Sequence, residues 1–494
     1  MQRRSPIFYN ALLLTGVNLL LRLVSTSFQV YISAQIGAAG VGLLQLVLSV
    51  GSMALTAGMA GIRTGTMYLT AEELGKNRPQ NVGHTLRCCS FYSLLCSGCV
   101  AILLFCLSAL IAGRWIGDSS TIPALRLLAA FLPVSCMVGV MTGYFTAAGK
   151  IQTLAAVEVA EQLFSMAITI LSLRFWAQSD AGKACQCVVF GSGAGSVLTL
   201  CLLLRLRHRE AKAKSKPFDV RKRLLQTAVP LAVADDLKAG INTTENLMVP
   251  KRLALYPHAI DPLAAFGTVC GMVFPILMFP ASVLFGLCEL LIPEMARCNA
   301  AGSYVRIQYL AKRSLRISML YGCYFCGILY LCAGQLCAKI YGSTDAGSHL
   351  ALYAMLAPML YCDAVTDAIN KGLGQQHICV KYNIFTSLMD IAGLFLLLPK
   401  LGMTGYFISF LISHLVNFIL SLRLLLKTAK LRLPVFPALL TAIITGIAIL
   451  GSSFVTGGVW AAIAFSILFF CLLWITGIIG KEDIFWLKGL VKYK

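Results

Sequence analysis

The sequence predicts an all-α polytopic membrane protein: 14 transmembrane helices, two parallel six-helix lobes around a central cavity, plus two C-terminal helices. Three observations carry that expectation. Of 494 residues, 58% are hydrophobic and 12% charged, with mean hydropathy +0.80, too little polar material to coat a soluble chain of this length. Apolar windows of about 20 residues, the length that crosses a bilayer as a helix, recur along the whole chain. Two of these windows and their loops reappear later at a common offset.

The first window follows Met1–Arg4 and has the outline of a signal peptide. It is too long, is interrupted by Arg22 and precedes many further spans, so a retained first helix is expected. The windows centre on 9–33, 40–62, 86–112, 123–148, 152–174 and 184–205 in the first half. They resume at 225–249, 262–288, 315–338, 350–372, 378–398 and 402–426, and end with 435–456 and 459–479. An even number puts both termini on one side. With the N-terminus inside, the inner segments hold most of the 41 Lys and Arg, including Arg205–Arg223, Arg297–Arg316 and the tail from Lys481. The net charge of +21 is thus spread through short loops rather than gathered in a basic tail or aromatic-basic patch, and nucleic acid is not expected as a partner.

The segment Ala124–Lys150 resembles Leu350–Gln375, aligning Pro133 with Pro358 and Gly149 with Gly374. The loop Ala71–Arg87 likewise resembles Pro293–Arg313. Both offsets are about 222–225 residues, and six spans return the chain to the same side, so two parallel repeats follow. The expected organisation is an N-terminal lobe over 1–206, a basic linker over 207–224, a C-terminal lobe over 225–427, two extra helices over 428–480 and an interfacial tail over 481–494. The linker also suits contact with anionic lipid head groups. The 19 cysteines scatter through apolar windows, and the C-x-x-C pairs Cys96/Cys99 and Cys323/Cys326 fall inside spans, so neither disulfides nor a metal site is expected.

Function rests on ionisable residues at membrane depth, each costing about 2.5–3.5 kcal/mol unless water or a partner receives it. Leu224–Leu253 carries Asp235, Asp236, Lys238 and Glu245 along an otherwise apolar span, the pattern of a helix lining a hydrated cavity. Arg22 lies deep in the first window and either pairs with a carboxylate (Glu158, Glu161, Asp235 or Asp236) or receives an anion. Arg63 ends the second window, as an ordinary flanking charge or at a cavity mouth. Glu158 and Glu161, at i and i+3, share a helix face and suit ion or proton coupling. Asp363, Asp367 and Lys371 share another face, either as an internal ion-pair ladder or, with Asn370, as the polar wall of the second half. Gly191-Ser-Gly-Ala-Gly195 has no preceding strand and no following Lys-Ser/Thr, so it is read as a close helix approach rather than a phosphate loop. No Walker motif, nucleophile elbow or His/Cys cluster is present in the sequence; no enzyme activity, cofactor or metal is expected.

The opening AQIGAAGVGLLQLVLSV after an intramembrane Arg, with GIRTGTMYLTAEELGK, AVPLAVADDLKAGINTTENLMVPKRL, FPASVLFGLCELLIPEMA and INKGLGQ, resembles the polysaccharide-type exporters of the MOP superfamily. Within it the chain looks like the stage V sporulation protein B group, which is related to the MurJ lipid II flippases. The resemblance runs from Asn10 to about Lys427. It implies two six-helix lobes that rock between inward-open and outward-open states, with the last two helices outside that core. It implies a polyprenyl-diphosphate-linked saccharide, a lipid II-like wall or spore-cortex precursor, moved from inner to outer leaflet of a bacterial cell membrane without ATP. Both termini would be cytoplasmic, and envelope-synthesis enzymes form a further partner class. Arg22 matches the cationic first-lobe residues that receive the diphosphate, and Arg63 matches more loosely. Arg63 stands where relatives commonly have proline or a small residue, and Asp235-Asp236 is more acidic than the family pattern. Asp235, Asp236, Lys238, Glu245 and Asn370 complete the expected substrate path; Glu158, Glu161, Asp363 and Asp367 are the ion-coupling candidates. The alternatives are a proton- or sodium-coupled multidrug exporter of the same superfamily and a non-transporting scaffold for envelope assembly.

Overall fold

The computed structural model describes residues 5–76, 78–177, 180–208, 220–431 and 435–478. In hydrocarbon every backbone amide must be satisfied within its own segment, and the apolar windows accordingly fold as helices. In chain order these are α1 (Ser5–Met59), α2 (Ile62–Gly75), α3 (Pro79–Leu110), α4 (Ile122–Ala147), α5 (Ile151–Ser172) and α6 (Ala181–His208). There follow α7 (Val220–Leu253), α8 (Pro262–Phe266), α9 (Phe274–Met278), α10 (Ala281–Ala300), α11 (Tyr304–Tyr341) and α12 (Asp345–Ala354). The chain ends with α13 (Ala357–Gly372), α14 (Gln376–Leu401), α15 (Met403–Thr428), α16 (Val435–Ser452) and α17 (Gly458–Ile475).

Each of the expected windows falls on helix, yet among the described residues nine helices are long and apolar enough to span, or up to 11 if bent pairs count as single spans. The shortfall has physical causes. The first two windows lie on one helix, α1, interrupted only at Gly37, whose φ of 70° leaves the helical region. α7 carries too many charges to count by apolarity, and α16 is short. The windows at 262–288 and 350–372 are each split, with bends of 61° before α10 and 54° between α12 and α13.

The chain divides into two compact units, Met1–Gly267 with Leu394–Met403, and Thr268–Gly393 with Thr404–Lys494. In the first, α2, α3, α4, α6 and the start of α7 converge on a core that includes Ile62, Leu86, Val140, Phe145, Leu203 and Ala228. Small residues permit the close approaches. A Cβ on Gly191 would strike the Thr169 hydroxyl and one on Gly193 the Phe131 ring, the packing expected of the glycine run. In the second unit α10, α11, α13 and α15 meet around Met295, Ile307, Val365, Ile369 and Leu425. There α16 and α17 pack on α11 through Ile444, Ala448, Phe465 and Phe469.

Candidate functional site

The first unit contains a cavity of about 400 Å³ between the α1–α2 segment and α7. Its position follows from a local break in the helix. Ala60 (φ 42°) and Gly61 (φ 70°) take left-handed conformations, so α1 stops at Met59 and α2 restarts at Ile62. Gly61 is required twice: its φ is unfavourable for a side-chain-bearing residue, and a Cβ there would run into the Ala228 carbonyl oxygen of α7. α7 runs antiparallel to α1–α2. Arg223 meets Glu72 and Glu73, Ala228 meets Gly61, and Thr243 and Asn246 meet Ser49. Between these contacts the two segments part.

Ser52, Thr56, Arg63 and Thr64 line one wall and Asp235, Lys238 and Asn242 the other. Asp235, Lys238 and Asn242 fall at i, i+3 and i+7 and therefore share one face of α7. Arg63, Asp235 and Lys238 are solvent-exposed, and among the described residues none closes an ion pair. Two cations against one carboxylate leave the lining net positive, with hydroxyls and an amide beside them. Such a lining offers charge-assisted hydrogen bonds to a phosphate or carboxylate.

The expected residues divide between the units. Arg63, Asp235 and Lys238 come together in this cavity. Asp236 turns away: it is half-buried, with a buried Oδ1 that lacks a hydrogen-bond partner, and lies within electrostatic range of Tyr92. Glu245, further along α7, is half-buried and partnered. Glu158 and Glu161 sit half-buried on α5; Glu158 feels the charge of Arg63, and Glu161 packs its Cγ against Gly195. Arg22 lies on α1, and its side chain is outside the described residues.

Asp363, Asp367 and Asn370 lie on α13 in the second unit. Asp367 pairs with Lys371 at 2.6 Å, and Asp363 Oδ2 accepts from Asn417 Nδ2 at 2.9 Å. Asn370 is fully buried and donates through Nδ2 to the Ser421 carbonyl at 2.9 Å. Sequence reasoning passed over two groups. Asp390 on α14 is 6% exposed and accepts from Ser409 Oγ at 2.6 Å; a lone acid inside an apolar window was the available signal. The Glu72–Glu73–Arg223 cluster carried no such signal, because its members stand 150 residues apart in loops that look ordinary.

Comparison with known proteins agrees with this architecture. A family model for MatE matches residues 15–171. Stage V sporulation protein B of Bacillus subtilis is 21% identical over 419 residues, 80% of this chain and 78% of that protein. Among solved structures, lipid II flippase MurJ in an inward closed conformation superposes with a TM-score of 0.69 at 11% identity, covering 96% of this chain and 100% of that one. An inward-facing multidrug resistance MATE family transporter of the MOP superfamily gives 0.66 at 14% identity, covering 84% and 98%. The fold is the all-helical membrane-type fold of MATE transporters and MurJ.

Proposed function

We propose that this chain, a transporter of the MOP superfamily, is a flippase that carries a polyprenyl-diphosphate-linked saccharide from the inner to the outer leaflet. The observation that supports this most is the cavity that sets Arg63 on one wall against Lys238 and a single carboxylate, Asp235, on the other, with no ion pair to either cation among the described residues. A diphosphate moved through hydrocarbon alone meets a prohibitive desolvation cost. In a hydrated cavity guanidinium and ammonium donors replace its water while the polyprenyl tail stays in the lipid. Arg22, on the same helix as Ser52 and Thr56, adds a third cation to this reading. Asp235 and Glu245 are assigned to the path of the saccharide, whereas Asp236 turns from the cavity and Asn370 is fully buried.

Translocation proceeds by alternating access of two parallel six-helix lobes, as the internal repeat suggests, with both termini cytoplasmic in a bacterial inner membrane. Outward movement of an anion is favoured by an inside-negative potential by about 2.3 kcal/mol per charge per 100 mV. No ATP is consumed. Ion coupling is assigned to Glu158, Glu161, Asp363 and Asp367, which are half-buried, and newly to buried Asp390, because a carboxylate withdrawn from water needs a proton or a cation beside it.

A second reading, a proton- or sodium-coupled exporter of cationic drugs, has Asp235 in the cavity wall and the MATE structures in its favour. Purified protein in liposomes separates the two. Accessibility of a fluorescent polyprenyl-diphosphate saccharide to an outside reagent should rise on reconstitution and be unaffected by a cationic dye. Dye efflux that requires a proton or sodium gradient, with no movement of the lipid, would transfer the assignment to drug export.

A further inference from the structure

The cavity is closed at its two ends by seams of different chemistry. At one end Thr243 Oγ1 donates to the Ser49 carbonyl at 3.0 Å, and Asn246 Nδ2 donates to Ser49 Oγ at 2.9 Å; both bonds are neutral. At the other end α2 and α7 meet through small residues, Gly61 and Gly65 against Ala228, with Leu224 alongside. Past these, Arg223 forks onto two carboxylates, ion-paired to Glu72 through Nη2 and to Glu73 through Nη1 at 3.4 Å. Glu73 is 2% exposed, and its second oxygen accepts from Asn81 Nδ2 at 3.0 Å. Glu72 also holds Lys76 at 2.5 Å.

We infer that the Arg223–Glu72–Glu73 cluster is a releasable latch, with Arg223 the positioning residue that holds α7 against α2 and closes this end of the cavity. Three observations carry it. The seam between cavity and latch is built of small residues whose backbones touch directly, and the Arg223 fork is the charged tie that lies beyond them. The cluster is anchored on one buried carboxylate, Glu73 at 2% exposure, while Arg223 and Glu72 reach water at 30% and 23%. Loss of Arg223 strands the buried charge, and the wet side lets the pair part into solvent, which suits a closure with two positions. The two partners are also anchored unequally. α2 is fixed in the core through Ile62 and Leu69, and a Cβ on Gly143 of α4 would come within 2.5 Å of the Arg63 carbonyl. α7 brings only Leu224 and Ala228 to that core among the described residues. The start of α7 is therefore what swings, and the cavity opens toward its Arg223 end. That this opening admits substrate rests on the flippase reading; the latch itself does not.

Hydrogen exchange on the full-length protein in nanodiscs tests it without any substrate. In Arg223→Gln, exchange over 62–76 and 223–232 should speed by about tenfold or more, as for loss of one partner from a buried pair, while peptides around 243–247 keep their wild-type rate. The swap Glu73→Arg with Arg223→Glu should restore exchange to within about twofold. Unchanged exchange in Arg223→Gln, or a rise spread evenly over the whole unit, would overturn the latch. If that variant does not fold, Arg223→Lys, which keeps the charge and loses the fork, should give a smaller rise confined to the same peptides; a uniform rise or none would count equally against it. A failed flipping assay with this pattern intact would refute the substrate assignment and leave the latch standing.

Discussion

Two helices with similar sequence character behave differently in the two units. α7 and α13 each carry acids and a lysine through an otherwise apolar stretch. On α13 each group finds a partner on one side: Lys371 pairs with Asp367, Asn417 donates to Asp363 Oδ2 and Asn370 to a backbone carbonyl, while Asp363 Oδ1 and Asn370 Oδ1 stay buried without a hydrogen bond. On α7, Asp235 and Lys238 face a cavity opposite Arg63, and among the described residues none of the three is ion-paired. A count of charges per span cannot distinguish these cases. What separates them is whether the neighbouring helix offers a polar partner, as α15 does to α13, or stands apart, as α1–α2 does from the middle of α7.

That contrast can be broken experimentally, and the largest effect belongs to the unpaired side. Arg63→Ala with Lys238→Ala should lower lipid flipping by about a hundredfold, the loss of two charge-assisted hydrogen bonds, with normal yield and thermal stability. The opposite signature is expected in the second unit. Asn417→Ala leaves Asp363 buried without its donor and should cost about 1–3 kcal/mol, read as a lower unfolding midpoint in detergent. Gly61→Ala sharpens the geometry of the first unit. A left-handed alanine costs about 1–2 kcal/mol, and its Cβ must also displace Ala228, so both stability and the exchange of α7 amides should respond. The smallest effect on stability is Lys371→Ala, about 0.3–0.5 kcal/mol for a partly exposed i, i+4 pair.

Much of this was legible in the sequence because a bilayer restricts the possibilities so strongly. Length and apolarity alone placed every window on helix, and the rule that charge at membrane depth needs a reason singled out Arg22, Asp235, Asp236, Lys238 and Glu245 together, while Arg63 entered as a flanking charge near a possible cavity mouth. Continuity was less legible. A single glycine at 37 and the Ala60–Gly61 break decide where α1 ends, and neither position differs in composition from the many other small residues nearby. Pairing was not legible at all. Arg223 and Glu73 are 150 positions apart, and Asp390 reads as an unremarkable acid until Ser409 is seen 2.6 Å away. The i, i+4 spacing of Asp363, Asp367 and Lys371 left a ladder and a polar wall both open; in the structure Lys371 pairs with Asp367 at 2.6 Å, while Asp363 accepts from Asn417.

The central claim is that the cations of the first unit receive a lipid diphosphate. Its most direct measurement is made in a bacterial host depleted of its essential lipid II flippase and expressing this chain, reading lipid II exposed on the outer leaflet. Wild type should restore exposure, and Arg63→Ala with Lys238→Ala, inserted at the same level, should not. Restoration by both proteins alike would contradict the assignment of the cavity, and restoration by neither would remove lipid II as the substrate.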